Sequence, residues 1–191
     1  MTTATETSLL REQGFIHLPS VIPLSVIEQV KPLAARDTNE LTVGPRKQPN
    51  GYRGVIHEYL PIVDAIEAAL RRAGYRPERL DHVSIFTQSA EGERRYWHVD
   101  AREDNEDILA LAYLQDTDET NGCLIVGKRT PKFLLAADDY KVGIIEGETY
   151  VPAKAGDLVI LRPQQPHAAL RNSTKEVRLL IRLWITLKKP N

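Results

Sequence analysis

The sequence has few of the features that mark secreted, zinc-binding or membrane proteins. Its single cysteine, Cys123, can form neither an internal disulfide nor a zinc site of four thiolates. No apolar run approaches the roughly 18 residues that a membrane-spanning helix needs. The N-terminus has no basic segment followed by an apolar stretch, so it predicts no signal peptide. We therefore expect a cytoplasmic protein that has no membrane as a partner.

An excess of one charge is also missing. The 25 basic and 26 acidic residues give a formal net charge of −1. Proteins that bind nucleic acids usually carry a basic excess, because their partner is a polyanion. The balance leaves room for a local basic patch, but we expect no nucleic acid among the partners.

The sequence contains enough apolar residues for a core, and its N-terminal part is predicted to be largely helical. They make up 42% of the 191 residues, and this length suits one domain over residues 1–191. Its helical N-terminal part covers about 1–75. The patterns there predict a strand at Phe15–Leu18, a helix from Leu24 that kinks or breaks at Pro32, and a helix at Pro61–Ala73 with Pro61 in its first turn and Gly74 at its end.

The segment from Arg36 to Gly54 separates the two predicted helices. It is rich in glycine, proline and polar residues and has little periodicity, which predicts a long loop. Loops of this length are often functional, for example as active-site lids, and often simply mobile. Both interpretations stay open for this segment.

The remaining chain, about 76–187, predicts a β-barrel. Aliphatic and β-branched runs bounded by turn residues occur at His82–Phe86, Ile108–Leu114, Cys123–Val126, Asp157–Leu161 and Val177–Thr186. Several short strands without helices between them favour an antiparallel sandwich or barrel. Ile108–Leu114 is apolar at almost every position, so we expect it to be covered on both faces. The fold class is thus mainly β with N-terminal helices.

Two histidines and one aspartate form the strongest candidate site. In an extended segment residues i and i+2 point to the same side, so His98 and Asp100 converge on one point. Such a pair is weak alone, because it arises easily by chance. His167 follows a strong strand and completes the set of two imidazoles and one carboxylate expected for non-haem Fe(II). This set leaves three positions open, two for a bidentate cosubstrate and one for O2.

The last strand carries two arginines on one face. Between Val177 and Thr186 one face is aliphatic, and the other includes Arg178 and Arg182. A buried guanidinium without an anion costs several kcal/mol, so this face meets solvent or the arginines meet carboxylates. A planar guanidinium suits a dicarboxylate ligand, which favours Arg178 as a ligand-binding residue. For Arg182, an acid group of the substrate and an internal Asp or Glu are equally open.

Several segments together resemble the phytanoyl-CoA dioxygenase-like branch of the Fe(II)- and 2-oxoglutarate-dependent oxygenases. The resemblance covers most of the chain. The segments that carry it are Tyr96-Trp97-His98-Val99-Asp100, Glu119-Thr120-Asn121-Gly122-Cys123-Leu124-Ile125-Val126, the stretch from Ala155-Gly156-Asp157-Leu158 through His167 and Asn172-Ser173 to Arg178, and Gly14-Phe15-Ile16-His17-Leu18-Pro19.

The resemblance implies a double-stranded β-helix, a jelly-roll barrel of the cupin type, and a set of cofactors. Iron held by His98, Asp100 and His167 would bind 2-oxoglutarate through one carboxylate and the keto oxygen, and Arg178 would bind the distal carboxylate. Arg182 and Gln88 are further candidates for contacts with the cosubstrate. O2 would convert the cosubstrate to succinate and CO2 and oxidise a substrate C–H bond. Because Asp100 fills the position that related halogenases leave vacant for halide, hydroxylation or another non-halogenating oxidation is favoured.

The sequence also departs from the family pattern. Val126-Gly127-Lys128-Arg129-Thr130 replaces a glycine-serine-histidine type of segment, and Ala169 stands where a hydroxyl that assists the cosubstrate is common. The chain is also short for this family. These departures bear on substrate class more than on cofactor use.

Three functional readings follow. The favoured one is a hydroxylase of a small molecule, such as an amino acid or a natural-product intermediate. The second is a non-catalytic cupin-like barrel that binds a metal or a small acidic ligand. The third is an oxygenase that modifies protein or nucleic acid; the near-neutral charge argues against nucleic acid.

Overall fold

The computed structural model describes residues 10, 12–37, 56–88, 97–101, 107–128, 145 and 147–188. Within these ranges the chain forms two long helices and eight strands. The helices are α1 (Leu24–Asp37) and α2 (Ile56–Arg72). The strands are β1 (Phe15–Leu18), β2 (Pro77–Gln88), β3 (Asp107–Tyr113), β4 (Leu124–Gly127), β5 (Glu148–Val151), β6 (Leu158–Leu161), β7 (His167–Ala169) and β8 (Arg178–Leu187).

The strands form two antiparallel sheets. The main sheet has five strands in the order β1-β6-β3-β8-β2, and the small sheet has three in the order β5-β4-β7. In the main sheet β3 lies between β6 and β8, with Ala110 opposite both Ile160 and Leu183. Neighbours in the sheet are therefore distant in sequence, as an antiparallel jelly-roll requires.

Side chains of β3 alternate between two cores. Ile108 and Ala110 belong to a core shared with the helices, where Val30 of α1 and Ile66 of α2 are fully buried. Leu109 and Leu111 belong to a second core, which includes residues of the small sheet. The predicted covering of this strand on both faces is thus confirmed. Because full burial of a Leu or Ile side chain contributes about 1.5–3 kcal/mol, these cores hold the sheets together.

The helices are longer than the sequence patterns predict. Pro32 lies inside α1, which continues to Asp37, so a break at Pro32 is wrong, and a kink there stays a prediction. Proline lacks the N–H that an interior position donates, but Val30 and Ala34 on either side are fully buried, and their packing holds the helix across it. Pro61 lies inside α2 and not in its first turn, because α2 begins at Ile56.

Other local predictions have mixed outcomes. The strand at Phe15–Leu18 is confirmed, and so is the helix end at Gly74, which has a positive φ of 86°. The short strands β5 and β7 were not predicted. Of the predicted loop, Arg36 belongs to α1, and 38–54 lie outside the described residues, so the lid interpretation stays a prediction. In the part of the chain that the structure describes, no helix is long and apolar enough to cross a membrane.

Candidate metal centre

A short antiparallel pairing brings the two predicted metal-binding segments together. The N–H of His98 donates to the carbonyl of His167, and the N–H of His167 donates to the carbonyl of His98, each at 3.0 Å. Two and three residues after His98, the N–H groups of Asp100 and Ala101 donate to the carbonyl of Pro163 at 2.8 and 3.1 Å. This pairing places the two imidazole rings side by side, with centroids 4.3 Å apart.

The three side chains converge as the i, i+2 spacing predicts. One ligand atom from each of His98, Asp100 and His167 lies within 4.8 Å of the others. Nε2 of His167 and Oδ2 of Asp100 are 3.3 Å apart. Two adjacent ligands of one ion, each about 2.0–2.2 Å from it, are roughly 2.8–3.6 Å apart between octahedral and tetrahedral angles, so this separation fits a shared metal.

The ring of His167 is held in a defined orientation. Its Nδ1 lies 2.9 Å from the carbonyl oxygen of Gln165, to which it donates a hydrogen bond in the tautomer that binds metal through Nε2. The side-chain amide of Gln165 in turn donates to the carbonyl of Gly127 at 2.5 Å. The second metal-binding histidine is thus fixed by its own loop and by β4.

The two oxygens of Asp100 have different surroundings. Oδ1 accepts a hydrogen bond from Nη1 of Arg182 at 2.9 Å. Oδ2 is buried and has no hydrogen-bond partner among the described residues. Burial alone would raise the pKa of Asp100, but His167, Arg182 and His98 outweigh it and hold the pKa well below its usual range. The carboxyl is therefore an anion with one oxygen available to a cation.

Arg178 begins β8 and is 4% exposed. Its Nη1 donates to the carbonyl of Gly122, in the turn before β4. The fully buried Tyr113 lies close enough for the guanidinium to lower its pKa, although burial raises that pKa above the usual range overall. The Tyr113 hydroxyl has no hydrogen-bond partner among the described residues. A cation and a phenol therefore share the interior at this end of β8.

The other two predicted cofactor contacts lie along the same pair of strands. Gln88 of β2 is opposite Arg178 in the backbone register, and its contact with the cosubstrate stays a prediction. Arg182 is paired with Asp100, which realises the internal carboxylate alternative of the sequence analysis. Its guanidinium also stacks on the ring of Phe86, 4.3 Å from the centroid. The predicted arginine face thus points into the barrel.

Sequence reasoning missed several residues that support the site. Gln165 stands two residues before His167 in sequence, but its burial is visible only in the structure. Gly14 was recognised in a resembling segment, but its contact with Gln165 was not predicted. Asp107 accepts hydrogen bonds from Nε1 of Trp184 at 2.9 Å and from the Thr186 hydroxyl at 2.8 Å, which no local pattern announces. Trp97 packs against Val99. His17 has a structural role, because its Nε2 is hydrogen-bonded to Oδ2 of Asp157 at 2.8 Å.

The sequence matches the family described as Phytanoyl-CoA dioxygenase (PhyH) over residues 24–180. The chain belongs to this family. The resemblance carried by the metal-binding segments is therefore confirmed, and the chain is by class an iron- and 2-oxoglutarate-dependent non-haem enzyme that uses O2. No curated protein matches the chain in sequence.

Solved structures confirm the jelly-roll fold of this family member. The non-heme alpha-ketoglutarate-dependent epimerase SnoN from nogalamycin biosynthesis is 18% identical, with a TM-score of 0.69 over 96% of this chain and 84% of that one. The carbocyclase SnoK from the same biosynthesis is 18% identical, with a TM-score of 0.66 over 97% and 86%. HygX from Streptomyces hygroscopicus with iron bound is 14% identical, with a TM-score of 0.68 over 97% and 87%.

Proposed function

We propose that this protein is a non-haem Fe(II)- and 2-oxoglutarate-dependent dioxygenase that hydroxylates a small organic molecule, with release of succinate and CO2. The observation that carries the proposal is the convergence of His98, Asp100 and His167 within 4.8 Å inside a phytanoyl-CoA dioxygenase fold. The donor set of two imidazoles and one carboxylate fits Fe(II) and leaves three positions open. The buried Oδ2 of Asp100 supplies the anionic ligand.

Different residues bind the metal and the cosubstrate. When bound, iron and 2-oxoglutarate supply the activation of O2 that oxidises a substrate C–H bond. His98, Asp100 and His167 hold the metal on one side. The hydrogen bond from His167 to the Gln165 carbonyl keeps one ring nitrogen directed at the metal position.

Arg178 is the proposed anchor of the distal carboxylate of 2-oxoglutarate. Arg178 as a residue is 4% exposed, and a buried charge is most stable beside an opposite charge. A guanidinium can bind both oxygens of a carboxylate in one plane. Tyr113 and Leu180 of the second core lie at this end of β8, where they exclude water and strengthen the interaction.

The substrate that we propose is an amino acid or, with more support, a natural-product intermediate. A structure of SnoN contains Fe3+, alpha ketoglutarate and nogalamycin RO, and a structure of HygX contains nickel, 2-oxoglutarate and hygromycin B. Each matches at least 95% of this chain. Two structures of this fold thus hold nogalamycin RO and hygromycin B beside a metal and the cosubstrate.

The first experiment is an anaerobic titration of the metal-free protein with Fe(II) and then 2-oxoglutarate. We expect a weak visible charge-transfer band from the chelated cosubstrate, absent from His98→Ala. His17→Ala is the matched control, because His17 bonds Asp157 away from the triad. If the wild-type protein binds Fe(II) and gives no band, the non-catalytic cupin-like barrel replaces this proposal.

A second experiment separates hydroxylation from other outcomes of the same chemistry. Amino acids and natural-product intermediates are screened for succinate release under ¹⁸O2, and the molecular masses of the products are measured by mass spectrometry. Hydroxylation adds one labelled oxygen, epimerisation leaves the mass unchanged, and ring closure removes two hydrogens. Asp100→Ala should abolish product formation, and wild-type activity in that variant would contradict the assignment of the three metal ligands.

A further inference from the structure

Arg182 lies where it can control how Asp100 binds a metal. It sits in the middle of β8, opposite Ser84 of β2 and Leu111 of β3, so strands on both sides hold its backbone. Its side chain is 16% exposed, and that of Asp100 is 14% exposed. The contact between them is therefore shielded from water and persists more than a surface ion pair would.

The contact uses only one of the two carboxylate oxygens. Nη1 of Arg182 is 2.9 Å from Oδ1 of Asp100, a length typical of a charge-assisted hydrogen bond. Oδ2 faces Nε2 of His167 at 3.3 Å. A free carboxylate can bind a cation through one oxygen or both. With Oδ1 occupied by the guanidinium, Oδ2 is the oxygen left for the metal.

The ring of Phe86 lies against the guanidinium of Arg182. The guanidinium carbon of Arg182 lies 4.3 Å from the centroid of the Phe86 ring, a stacking distance. Lysine has no planar head group and cannot reproduce both the stack and the directed hydrogen bond. The arrangement is thus specific to arginine.

We propose that Arg182 is a positioning residue that keeps Asp100 bound to iron through Oδ2 alone. The number of coordination positions gives the reason. Two histidines and one carboxylate oxygen leave three positions, which 2-oxoglutarate and O2 fill; a second oxygen from Asp100 would take one of them. Arg182 therefore acts on the metal through Asp100 and does not contact the cosubstrate. This inference rests on the proposed function.

The test compares wild type, Arg182→Met, Arg182→Lys and Arg178→Ala in Fe(II) affinity without cosubstrate. Loss of a residue that orients a ligand typically weakens metal binding about 10–100-fold. We expect a loss in that range for Arg182→Met, incomplete rescue by Arg182→Lys, and less than a threefold change for Arg178→Ala. The visible spectrum of the Co(II)-substituted Arg182→Met protein should differ from that of wild type, because a second oxygen of Asp100 then takes one of the three open positions.

The opposite pattern would overturn the proposal. Unchanged Fe(II) affinity and Co(II) spectrum in Arg182→Met, with weaker 2-oxoglutarate binding, would make Arg182 a direct contact of the cosubstrate. If Arg182→Met does not fold, Phe86→Leu keeps the charge pair and removes the stack; it should weaken Fe(II) binding several-fold, and no change would equally contradict the proposal. Because Fe(II) affinity and the Co(II) spectrum are measured without cosubstrate, they stay informative even if wild type gives no 2-oxoglutarate band.

Discussion

At the scale of single residues, Arg178 offers the most direct test of cosubstrate binding. Arg178→Ala removes the buried cation proposed to bind the distal carboxylate of 2-oxoglutarate. Hydrogen bonds to charged groups contribute about 1.5–3 kcal/mol, so the KM for 2-oxoglutarate should rise roughly 10–100-fold. Initial-rate measurements of succinate release at saturating Fe(II) give this value.

The control for Arg178→Ala is Arg71→Ala, because the side chain of Arg71 is 59% exposed on α2. Its KM for 2-oxoglutarate should equal that of wild type. If Arg178→Ala also keeps the wild-type KM, the distal carboxylate is anchored by another cation of the barrel.

Tyr113 carries a buried hydroxyl without a hydrogen-bond partner among the described residues. An unsatisfied buried polar group costs about 1–3 kcal/mol. Tyr113→Phe should therefore raise the free energy of unfolding of the metal-free protein by about 1 kcal/mol, measured by urea denaturation. Tyr150→Phe is the control, because Tyr150 is 44% exposed and its change should be near zero. Lower stability in Tyr113→Phe would mean that the hydroxyl is paired in solution.

Cys123 predicts a dependence of stability on pH. Burial raises the pKa of its thiol from 9.0 to about 11. The folded state then keeps the proton while the unfolded thiol ionises, so stability from this group is complete below pH 9 and falls between pH 9 and 11. The decline should be about 1.4 kcal/mol per pH unit at most.

The variant Cys123→Ala isolates this effect, because its side chain does not titrate. Urea denaturation of both proteins from pH 8 to 11 should show that the wild type loses more stability than Cys123→Ala. Parallel curves for the two proteins would contradict the raised pKa of the thiol.

At the scale of elements, the loop from β6 to β7 depends on the start of the chain. Gly14 has a φ of 78°, and a Cβ there would collide with the side chain of Gln165. The carbonyl of Gly14 accepts from the N–H of Arg162 at 3.0 Å, and the carbonyl of Gln165 orients His167 at 2.9 Å. An N-terminal glycine thus supports a metal-binding histidine distant in sequence.

Gly14→Ala should destabilise the fold and weaken Fe(II) binding together. The left-handed conformation costs an alanine about 1–2 kcal/mol, and displacement of Gln165 adds to this. Gly147→Ala is a matched control, because Gly147 has a φ of 73° but open space around it. Denaturation and Fe(II) titration should show a similar backbone cost in both variants and weaker Fe(II) binding only in Gly14→Ala. Equal Fe(II) affinities in Gly14→Ala and Gly147→Ala would mean that this loop does not support the metal site.

The elements themselves were predictable to different degrees. The strand from Phe15 to Leu18 and the core of β3 were clear, because short apolar runs between turn residues follow from local preference. β5 reads Glu-Thr-Tyr-Val, with three exposed residues, so its place in a sheet comes from pairing with β4. β7 has three residues, and His167 reaches both β4 and the segment of His98 through tertiary hydrogen bonds.

At the scale of the whole molecule, metal binding should stabilise the fold. The ligands come from the segment of His98 and from β7, which unfolding separates, so Fe(II) binds the folded state preferentially. At 100 times the Kd this contributes about 2.7 kcal/mol. For a chain of this size, the unfolding midpoint should rise by about 5–10 °C.

Anaerobic thermal unfolding with and without Fe(II) measures this shift. His98→Ala should lose most of it, and His17→Ala should keep it. A shift of the same size in His98→Ala would place the stabilising metal elsewhere in the molecule.

The sequence by itself determined the chemistry of the candidate site. His98 and Asp100 share a side because extended residues alternate, and Arg178 and Arg182 share a face of β8 for the same reason. These are local rules with a period of two residues. Together with the spacing to His167, they predict the candidate metal ligands, and the resemblance of the surrounding segments predicts the family, which is confirmed.

Only the tertiary structure decided which groups meet. From the sequence, the partner of Arg182 could equally be an acid group of the substrate or an internal carboxylate. The approach of the His98–Asp100 segment to β8 placed Oδ1 of Asp100 2.9 Å from Nη1 of Arg182. Likewise, the contact of Gly14 with Gln165 depends on β1 pairing with β6. Such contacts join residues far apart in the chain. Their energies come from burial and packing of the whole barrel, which no local pattern contains.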